Sequence, residues 1–321
     1  MPGQGPQSNH RRGNSLAQSP GFVGSFTRFW QRSYASDYIG LVILLIAYIL
    51  LQFFAEPFHR MFSLDNLAIQ YPHAEKERVP VTWLFIYAGG VPLGVLIFWA
   101  IAFRPKGHKA HVTILGWFIS LILTLFITDV IKNAVGRPRP DLIARCKPVR
   151  EKGTSDHQLV TWEVCTETNH HVLHDGWRSF PSGHSSFSFS GLGYLALFIA
   201  GQCHVFRPRT DLGRVLLALA PLLGAALIAI SRCEDYRHDV WDVTTGSIIG
   251  LLVAFYTYRR YYPSLKSRGC DTPYPNPADS ADGRGFGKLK DEEERIQSAR
   301  DFEVDDLDDD AESYPLNNIR S

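Results

Sequence analysis

The sequence predicts an all-α fold: an integral-membrane six-helix bundle with disordered polar termini. Six apolar segments lie between about residues 38 and 260, whereas both ends of the chain are polar. Each segment approaches the roughly 20 residues that a helix needs to cross a bilayer core about 30 Å thick. A backbone in lipid must satisfy its own hydrogen bonds, which favours helices. Six such runs in one chain argue against buried core helices of a soluble protein.

The apolar runs give the element boundaries. They cover residues 39–54, 81–103, 112–131, 185–201, 212–230 and 240–258. The predicted spanning domain is residues 37–262, between a disordered lead at residues 1–36 and a disordered acidic tail at residues 263–321. The lead and the tail contain too few apolar residues to bury the surface that folding requires.

Whole-chain composition excludes several classes of protein. The chain has 321 residues and a formal net charge of +1, which gives no reason to expect a nucleic-acid partner. Its five cysteines are scattered, without a Cys-x-x-Cys pair, so the sequence predicts neither a disulfide scaffold nor a zinc site. No cleavable signal peptide is expected, because the first apolar run starts only near Ile39.

Lys and Arg in the connections predict the orientation in the membrane. Basic residues flank both termini and occupy the connections after the second and fourth segments, all on one side of the bundle. We expect that side, with both termini, to be cytosolic and the other side to be lumenal or extracellular. The endoplasmic reticulum, Golgi, vacuole and plasma membrane all fit this orientation.

Three polar clusters stand at the ends of these segments. They read Lys132-x6-Arg139-Pro140, Pro181-Ser182-Gly183-His184 and Ser231-Arg232-x5-His238-x3-Asp242. With six crossings, all three fall on the face opposite the termini. Ionisable residues beside apolar spans are costly and usually functional. Together they supply histidines, a carboxylate and cations, which is the set needed to hold and cleave a phosphate without a metal.

The third cluster offers a nucleophile. His238 and Asp242 are four residues apart, so on a helix they share a face. Asp242 would accept a hydrogen bond from one imidazole nitrogen and leave the other free to attack. Asp239 points elsewhere and is the weaker candidate. For this pair alone, a chance pairing at the membrane interface is an equally good explanation.

The other two clusters offer a proton donor and positive charge. Gly183 opens a helix whose N–H groups attract anions, and His184 is placed to protonate a leaving alkoxide, although an N-cap with an incidental histidine explains that cluster in isolation. Lys132, Arg139 and Arg232 are cations for the phosphoryl oxygens, which arginine binds through two parallel hydrogen bonds. Arg137 is predicted to be a headgroup or structural contact.

Together the clusters resemble the type 2 phosphatidic acid phosphatase superfamily, the integral-membrane lipid phosphate phosphatases. The signatures K-x6-RP, PSGH and SR-x5-H-x3-D match in full and in order, and the resemblance covers about residues 38–260. Residues 136–141 followed by Cys146, and residues 175–180 before PSGH, resemble the diacylglycerol pyrophosphate phosphatase branch, which often has leucine where this chain has Pro138.

The resemblance implies a role for each residue of the three motifs. His238 would be the nucleophile that forms a phosphohistidine, Asp242 would orient it, and His184 would act as acid and then as base. The implied phosphate-binding residues are Lys132, Arg139, Ser182, Gly183 and Arg232. The family works without magnesium, and the sequence has no carboxylate cluster suited to that ion, so we expect no metal and no cofactor.

The sequence therefore predicts a metal-independent phosphoric monoester hydrolase of phospholipid metabolism. Phosphatidic acid and diacylglycerol pyrophosphate are the leading substrates, and lysophosphatidic acid is a further one. Alternatives are a polyisoprenoid diphosphate, sphingoid phosphate or sugar-phosphate phosphatase, a non-catalytic lipid-binding relative, and a transporter. The intact motifs argue against the non-catalytic relative. Ionisable groups at one face, away from the midplane, argue against a transporter. The oligomeric state stays open.

The connection at about residues 141–180 is long, and we expect it to cover the site or to select headgroups. Cys146 and Cys165 lie in it on the side expected to be oxidising, so a disulfide between them is a hypothesis, with Cys233 as a competing partner. A metal site at the histidines of residues 170–174 is poorly supported.

Overall fold

Long helices dominate the computed structural model, which describes Phe26, Trp30, residues 33–149 and residues 158–276. The six long helices of the described residues are α1 (Ala35–Phe54), α2 (Val81–Phe103), α3 (Gly107–Val135), α6 (Gly183–Gln202), α7 (Leu212–Glu234) and α8 (Val240–Tyr261). Two short helices, α4 (Leu142–Cys146) and α5 (His170–Asp175), lie between α3 and α6. Each of the predicted apolar segments is therefore helical.

Five of these helices are long and apolar enough to cross a membrane, counting only the described part of the chain: α1, α2, α3, α7 and α8. The other, α6, has 20 residues but carries buried serines at positions 185, 186, 188 and 190. It packs against α3, α7 and α8, so most of its side chains contact protein, whereas α1 buries no residues. The predicted fold class is confirmed, and the chain is a multi-pass membrane protein with α6 as its inner helix.

Hydroxyl groups join α6 to α3 inside the bundle. Ser190 Oγ lies 2.7 Å from Ser120 Oγ and accepts a hydrogen bond from Thr124 at 3.0 Å. About one turn nearer the start of α6, Thr128 donates to Ser186 Oγ at 2.8 Å. All of these groups are buried. Hydrogen bonds of this kind help membrane helices to associate, because lipid provides no hydrophobic driving force between them.

Helix α8 approaches α6 closely at two glycines. A Cβ atom on Gly246 would lie 2.5 Å from the carbonyl oxygen of Ser182, and one on Gly250 would overlap the carbonyl oxygen of Ser186. Small residues permit such close helix packing. Near the same end, the Ser182 N–H donates to the Asp242 carbonyl at 2.9 Å. The N-terminal ends of α6 and α8 are thus fixed side by side.

The connections after α1 and after α3 build a small second core. Strands β1 (Phe62–Ser63) and β2 (Leu159–Val160) pair antiparallel, and the apolar side chains of Leu142, Leu173 and Trp177 pack below them. Cys146 and Cys165 form a disulfide, as hypothesised, and Cys233 is a free thiol. Short 3₁₀ turns at Leu67–Ile69 and Trp162–Val164 complete this layer.

The folded domain is longer at its C-terminal end than the predicted residues 37–262. Residues Tyr38–Tyr274 form one compact unit. Tyr274 N donates to Tyr261 O at 2.9 Å, and Gln202 Nε2 donates to Asp271 O at 3.0 Å. These bonds involve backbone atoms, which a polar composition does not reveal. The rest of the predicted acidic tail, and most of the predicted lead, lie outside the described residues.

Candidate active site

Helix ends bring the residues of the three polar clusters together. Lys132 lies in the last turn of α3, Arg232 lies in the last turn of α7, and His184 is the second residue of α6. A Cβ atom on Gly183 would be 3.1 Å from Lys132 Nζ, so the lysine ammonium group lies against the start of α6. N–H groups in the first turn of a helix have no partner within it, which makes this end suitable for an anion.

His238 is a buried imidazole among cations. It is 4% exposed, and its Nδ1 has no hydrogen-bond partner among the described residues. Burial is the largest cause that holds the pKa of His238 well below its ordinary value. The positive charges of Arg139, Lys132 and Arg232 lower this pKa further. The imidazole is therefore neutral near pH 7, and the predicted cations are close enough to act on it.

Asp242 does not make the predicted hydrogen bond to His238. Its Oδ2 lies 3.7 Å from His238 Nδ1, which is too far for such a bond. The reason is local. Helix α8 starts at Val240, so His238 precedes it, and the rule that residues four apart on a helix share a face does not apply.

Other groups hold the Asp242 carboxylate, which is fully buried. It accepts hydrogen bonds from Ser179 Oγ at 2.5 Å, from Arg137 Nη1 at 2.7 Å and from the Asp239 N–H at 3.0 Å. Arg137 also binds Asp239 Oδ2 at 2.9 Å. Arg137 is thus a structural contact, one of the two options that the sequence left for it. The contact with Ser179 was not predicted, because no spacing rule relates positions 179 and 242.

Arg139 is fixed by an acidic partner that the sequence did not single out. Its Nη2 donates to Asp175 Oδ1 at 2.8 Å, while its Nε is buried without a partner among the described residues. Arg145 binds the other oxygen of Asp175 at 3.0 Å. Burial acts to raise the pKa of Asp175, but Arg139 and Arg145 outweigh it and hold the pKa below its ordinary value. The ionised carboxylate therefore anchors Arg139.

The segment before α2 reaches the same place, and sequence reasoning missed it. Arg232 Nη1 donates to Glu77 Oε2 at 3.0 Å and to the Val79 carbonyl at 3.3 Å. The same carbonyl lies 3.0 Å from His184 Nε2. Because a carbonyl oxygen only accepts, this contact requires a hydrogen on His184 Nε2. Nothing in the sequence around Glu77 resembles a motif that could have indicated this contact.

Ser182 is the N-cap of α6. Its Oγ accepts a hydrogen bond from Ser185 N at 3.4 Å. An N-cap is the structural role given above as the alternative explanation of this cluster. The cap fixes the start of α6 and, with it, the backbone of Gly183.

A cavity of about 580 Å³ lies beside the site. Its lining includes Arg60, Arg137, His238 and the stacked rings of Tyr71 and Tyr236, whose centroids are 4.6 Å apart. Lys132, Arg139 and Arg232 are not part of this lining. The cavity therefore reaches His238 beside the start of α8, where Asp239 and Val240 also line it.

No group of three or more His, Cys, Asp or Glu side chains within the described residues is arranged to hold a metal ion. Of the loop histidines, His174 is instead paired with His59, whose Nε2 lies 2.7 Å from His174 Nδ1. Burial, followed by the neighbouring His174, lowers the pKa of His59.

A multi-pass helical bundle in which a buried histidine lies beside several cations defines the class: a membrane protein with a candidate site for an anionic group. Residues 113–266 match the family model described as PAP2 superfamily. The chain is 43% identical over 241 residues to diacylglycerol pyrophosphate phosphatase 1 of Saccharomyces cerevisiae, covering 73% of this chain and 81% of that protein.

Two further relatives extend the comparison. Probable diacylglycerol pyrophosphate phosphatase 1 of Schizosaccharomyces pombe is 38% identical over 253 residues, 78% of this chain and 89% of that protein. Lipid phosphate phosphatase 2 of Arabidopsis thaliana is 38% identical over 233 residues, 72% of this chain and 78% of that protein. The chain belongs to the PAP2 superfamily.

Proposed function

We propose that the chain is a lipid phosphate phosphatase that hydrolyses diacylglycerol pyrophosphate and phosphatidic acid without a metal. The observation that carries this proposal is the buried His238 beside the predicted cations Lys132, Arg139 and Arg232, whose positive charges, together with burial, lower its pKa. A neutral imidazole is a nucleophile, and the cations favour a phosphate group beside it. The names of the relatives, diacylglycerol pyrophosphate phosphatase and lipid phosphate phosphatase, support the choice of substrate.

His238 is the proposed nucleophile. Its Nδ1 is the nitrogen nearer Asp242, at 3.7 Å, so Nε2 is the nitrogen expected to attack. The Nε2 lone pair forms a bond to phosphorus while the bond between phosphorus and the leaving oxygen breaks. Asp242 supports the positive charge that the imidazole gains, and a small inward movement of the ring would convert this contact into a hydrogen bond.

His184 is the proposed acid and base. Its Nε2–H is held by the Val79 carbonyl at 3.0 Å, so Nδ1 is the nitrogen expected to exchange protons. The protonated ring gives the Nδ1 proton to the leaving alkoxide. The neutral ring then takes a proton from the water that attacks the phosphohistidine, which releases phosphate and restores His238.

The proposed phosphate cradle combines fixed cations with a helix end. Lys132, Arg139 and Arg232 contribute charge, and the Gly183 N–H at the start of α6 is a donor for a phosphoryl oxygen. The Ser182 N–H is bonded to the Asp242 carbonyl, so Ser182 contributes through its hydroxyl group, which caps α6 and fixes Gly183. Removing one such contact typically costs on the order of 2–4 kcal/mol of transition-state stabilisation. Because the site lies at helix ends, a lipid headgroup can enter it while its acyl chains stay in the bilayer.

The orientation belongs to the same proposal. The distribution of Lys and Arg supports cytosolic termini and a site that faces the lumen or the exterior. An enzyme placed in this way acts on phospholipids of the leaflet away from the cytosol.

Phosphate release from purified protein in detergent micelles tests the activity. The substrates are diacylglycerol pyrophosphate, phosphatidic acid, lysophosphatidic acid, a sphingoid phosphate, a polyisoprenoid diphosphate and glucose 6-phosphate, all with excess EDTA. We expect turnover of the first two without added metal and inhibition by orthovanadate. Preferential hydrolysis of the sugar phosphate, or activity that EDTA abolishes and magnesium restores, would contradict the proposal.

A further inference from the structure

Glu77 joins two buried arginines at the end of α7. Its Oε2 accepts a hydrogen bond from Arg232 Nη1 at 3.0 Å, and its Oε1 lies 2.7 Å from Arg237 Nη2. The side chain of Arg232 is 2% exposed and that of Glu77 is 21% exposed. Cations in a buried site need an ionised partner, so this one carboxylate stabilises both guanidinium groups where they lie.

The backbone beside Glu77 is fixed to the same helix ends. The Val79 carbonyl lies 3.3 Å from Arg232 Nη1 and 3.0 Å from His184 Nε2. The Arg78 N–H donates to Asp235 Oδ2 at 3.0 Å. The segment of residues 77–79 therefore contacts both the end of α7 and the start of α6, and it joins a proposed phosphate-binding residue to the proposed proton donor.

These contacts use only one end of the Arg232 side chain. Nη1 makes all three of its acidic and carbonyl contacts, with Glu77, Val79 and Asp235. Arg232 Nε is buried and has no hydrogen-bond partner within the described part of the chain. Arginine binds phosphate through two parallel N–H groups, and the edge formed by Nε and Nη2 is one such pair. Glu77 thus holds the guanidinium without occupying that edge.

We infer that Glu77 is a positioning residue of the phosphatase site, which orients Arg232 so that its Nε edge faces the phosphoryl group. The inference rests on the proposed function and deepens it, because Arg232 acts there as a phosphate ligand. The alternative to positioning is competition, in which the Glu77 carboxylate occupies the place of the phosphate and excludes the substrate. The partnerless Nε favours positioning.

The variants Glu77→Gln and Glu77→Asp test this inference. Gln keeps the size of the side chain and removes its charge, whereas Asp keeps the charge. Glu75→Gln is the matched control, because Glu75 lies in the same segment, is exposed and loses the same charge. The measurements are kcat and KM for phosphatidic acid in micelles, the inhibition constant of orthovanadate, and the thermal midpoint in detergent.

We expect Glu77→Gln to lower kcat/KM about 10- to 100-fold, the range typical of residues that orient the ligands of a metal site. Inhibition by orthovanadate should weaken by a similar factor. Glu77→Asp should recover part of both losses, and Glu75→Gln should match the parent. In an Arg232→Lys background, Glu77→Gln should cost clearly less, because the two residues act through one contact.

Three results separate the possible errors. If Glu77→Gln binds orthovanadate more tightly and lowers KM, Glu77 competes with phosphate and the inference is wrong. If Glu77→Gln matches the parent, or if its effect is fully additive with Arg232→Lys, positioning through Arg232 is also excluded. A parent protein without phosphatase activity overturns the proposed function, and this inference with it.

Discussion

At the scale of single residues, the reactivity of His238 depends on its surroundings. Burial and the neighbouring cations hold its pKa well below the ordinary value, so the ring stays neutral and keeps its lone pair. The same cations oppose positive charge on the ring until a phosphate group arrives to offset them. The negative charge of a bound phosphate would therefore stabilise part of the positive charge that His238 gains when it attacks the phosphorus atom. Asp242, 3.7 Å from His238 Nδ1, would stabilise the rest.

His238→Ala removes the proposed nucleophile. We expect kcat for phosphatidic acid to fall by about 10⁴-fold or more, because loss of a covalent nucleophile leaves only binding and electrostatic effects. The comparison uses His171→Ala, since His171 is an exposed residue of the short helix α5. Phosphate release and the thermal midpoint are measured for both variants. Turnover by His238→Ala at the parental rate would refute the assignment.

The low pKa of His238 also affects stability. A group whose pKa is lower in the folded state binds fewer protons when folded, so acidification favours unfolding. The stability that neutral His238 contributes is complete above the unfolded pKa of about 6.5 and is lost as the pH falls below it.

We expect the thermal midpoint in detergent to fall between pH 7 and pH 5, and to fall less in His238→Gln. Other groups titrate in both proteins, so the difference between the two slopes reports on His238. Equal slopes in parent and variant would contradict the low pKa.

At the scale of elements, the candidate site lies where the ends of four helices come close together. Lys132 and Arg232 close α3 and α7, while His184 opens α6 and Asp242 lies in the first turn of α8. Helix α6 is central to this arrangement because it packs against α3, α7 and α8. Its contact with α8 depends on glycine, so the separation of these two helices sets the distance between the second and third clusters.

Gly246→Leu tests that dependence. A side chain at position 246 meets the Ser182 carbonyl, which is backbone and cannot move aside without displacing the start of α6. We expect a loss of about 1–3 kcal/mol of stability from overpacking, together with a large loss of kcat. Gly94→Leu is the control, because no atom lies within 4 Å of a Cβ placed there. Equal activity in both variants would show that the close approach is not required.

At the scale of the whole molecule, the polar chemistry lies at one end of a multi-pass bundle. Helix α1 buries no residues, whereas the inner helix α6 is buried along most of its length. The loop layer with the Cys146–Cys165 disulfide belongs to the same end as the site, since Asp175 of α5 binds Arg139. A disulfide there is consistent with the proposed lumenal or extracellular orientation.

Glycosylation mapping tests this orientation. The chain has no Asn-x-Ser/Thr sequence, so an acceptor inserted between Val149 and Gln158 would be the only one present. We expect that acceptor to be glycosylated in microsomes, and an acceptor added after Ser321 to stay unmodified. The reverse pattern would place the termini in the lumen and the site in the cytosol.

Much of the fold and the site could be predicted from local signals. Apolar length located all six long helices, and five of the twelve predicted ends coincide with the observed ones, at residues 54, 81, 103, 212 and 240. Motif spacing identified Lys132, His184 and His238, which the fold then brings together. The compact unit extends past the predicted residue 262 to Tyr274, because residues 263–274 are joined to the bundle by hydrogen bonds to and from their backbone atoms. Composition carries no record of such bonds.

The contacts that orient the site could not be predicted. The Asp242 partners Ser179 and Arg137 are 63 and 105 residues away from it, and Glu77 is 155 residues from Arg232. No periodicity connects positions so far apart. The predicted bond between His238 and Asp242 failed for a related reason: the start of α8 at Val240 is set by the Asp239 cap. A spacing of four predicts a shared face only inside a helix.

The sequence by itself determined the family motifs and the apolar segments that form the long helices, because both depend on residue type and local spacing. Only the tertiary structure decided how those side chains are held, which carboxylate each arginine binds and which nitrogen of His184 is occupied. These features depend on distances between segments remote in the chain, and such distances exist only after the helices have packed.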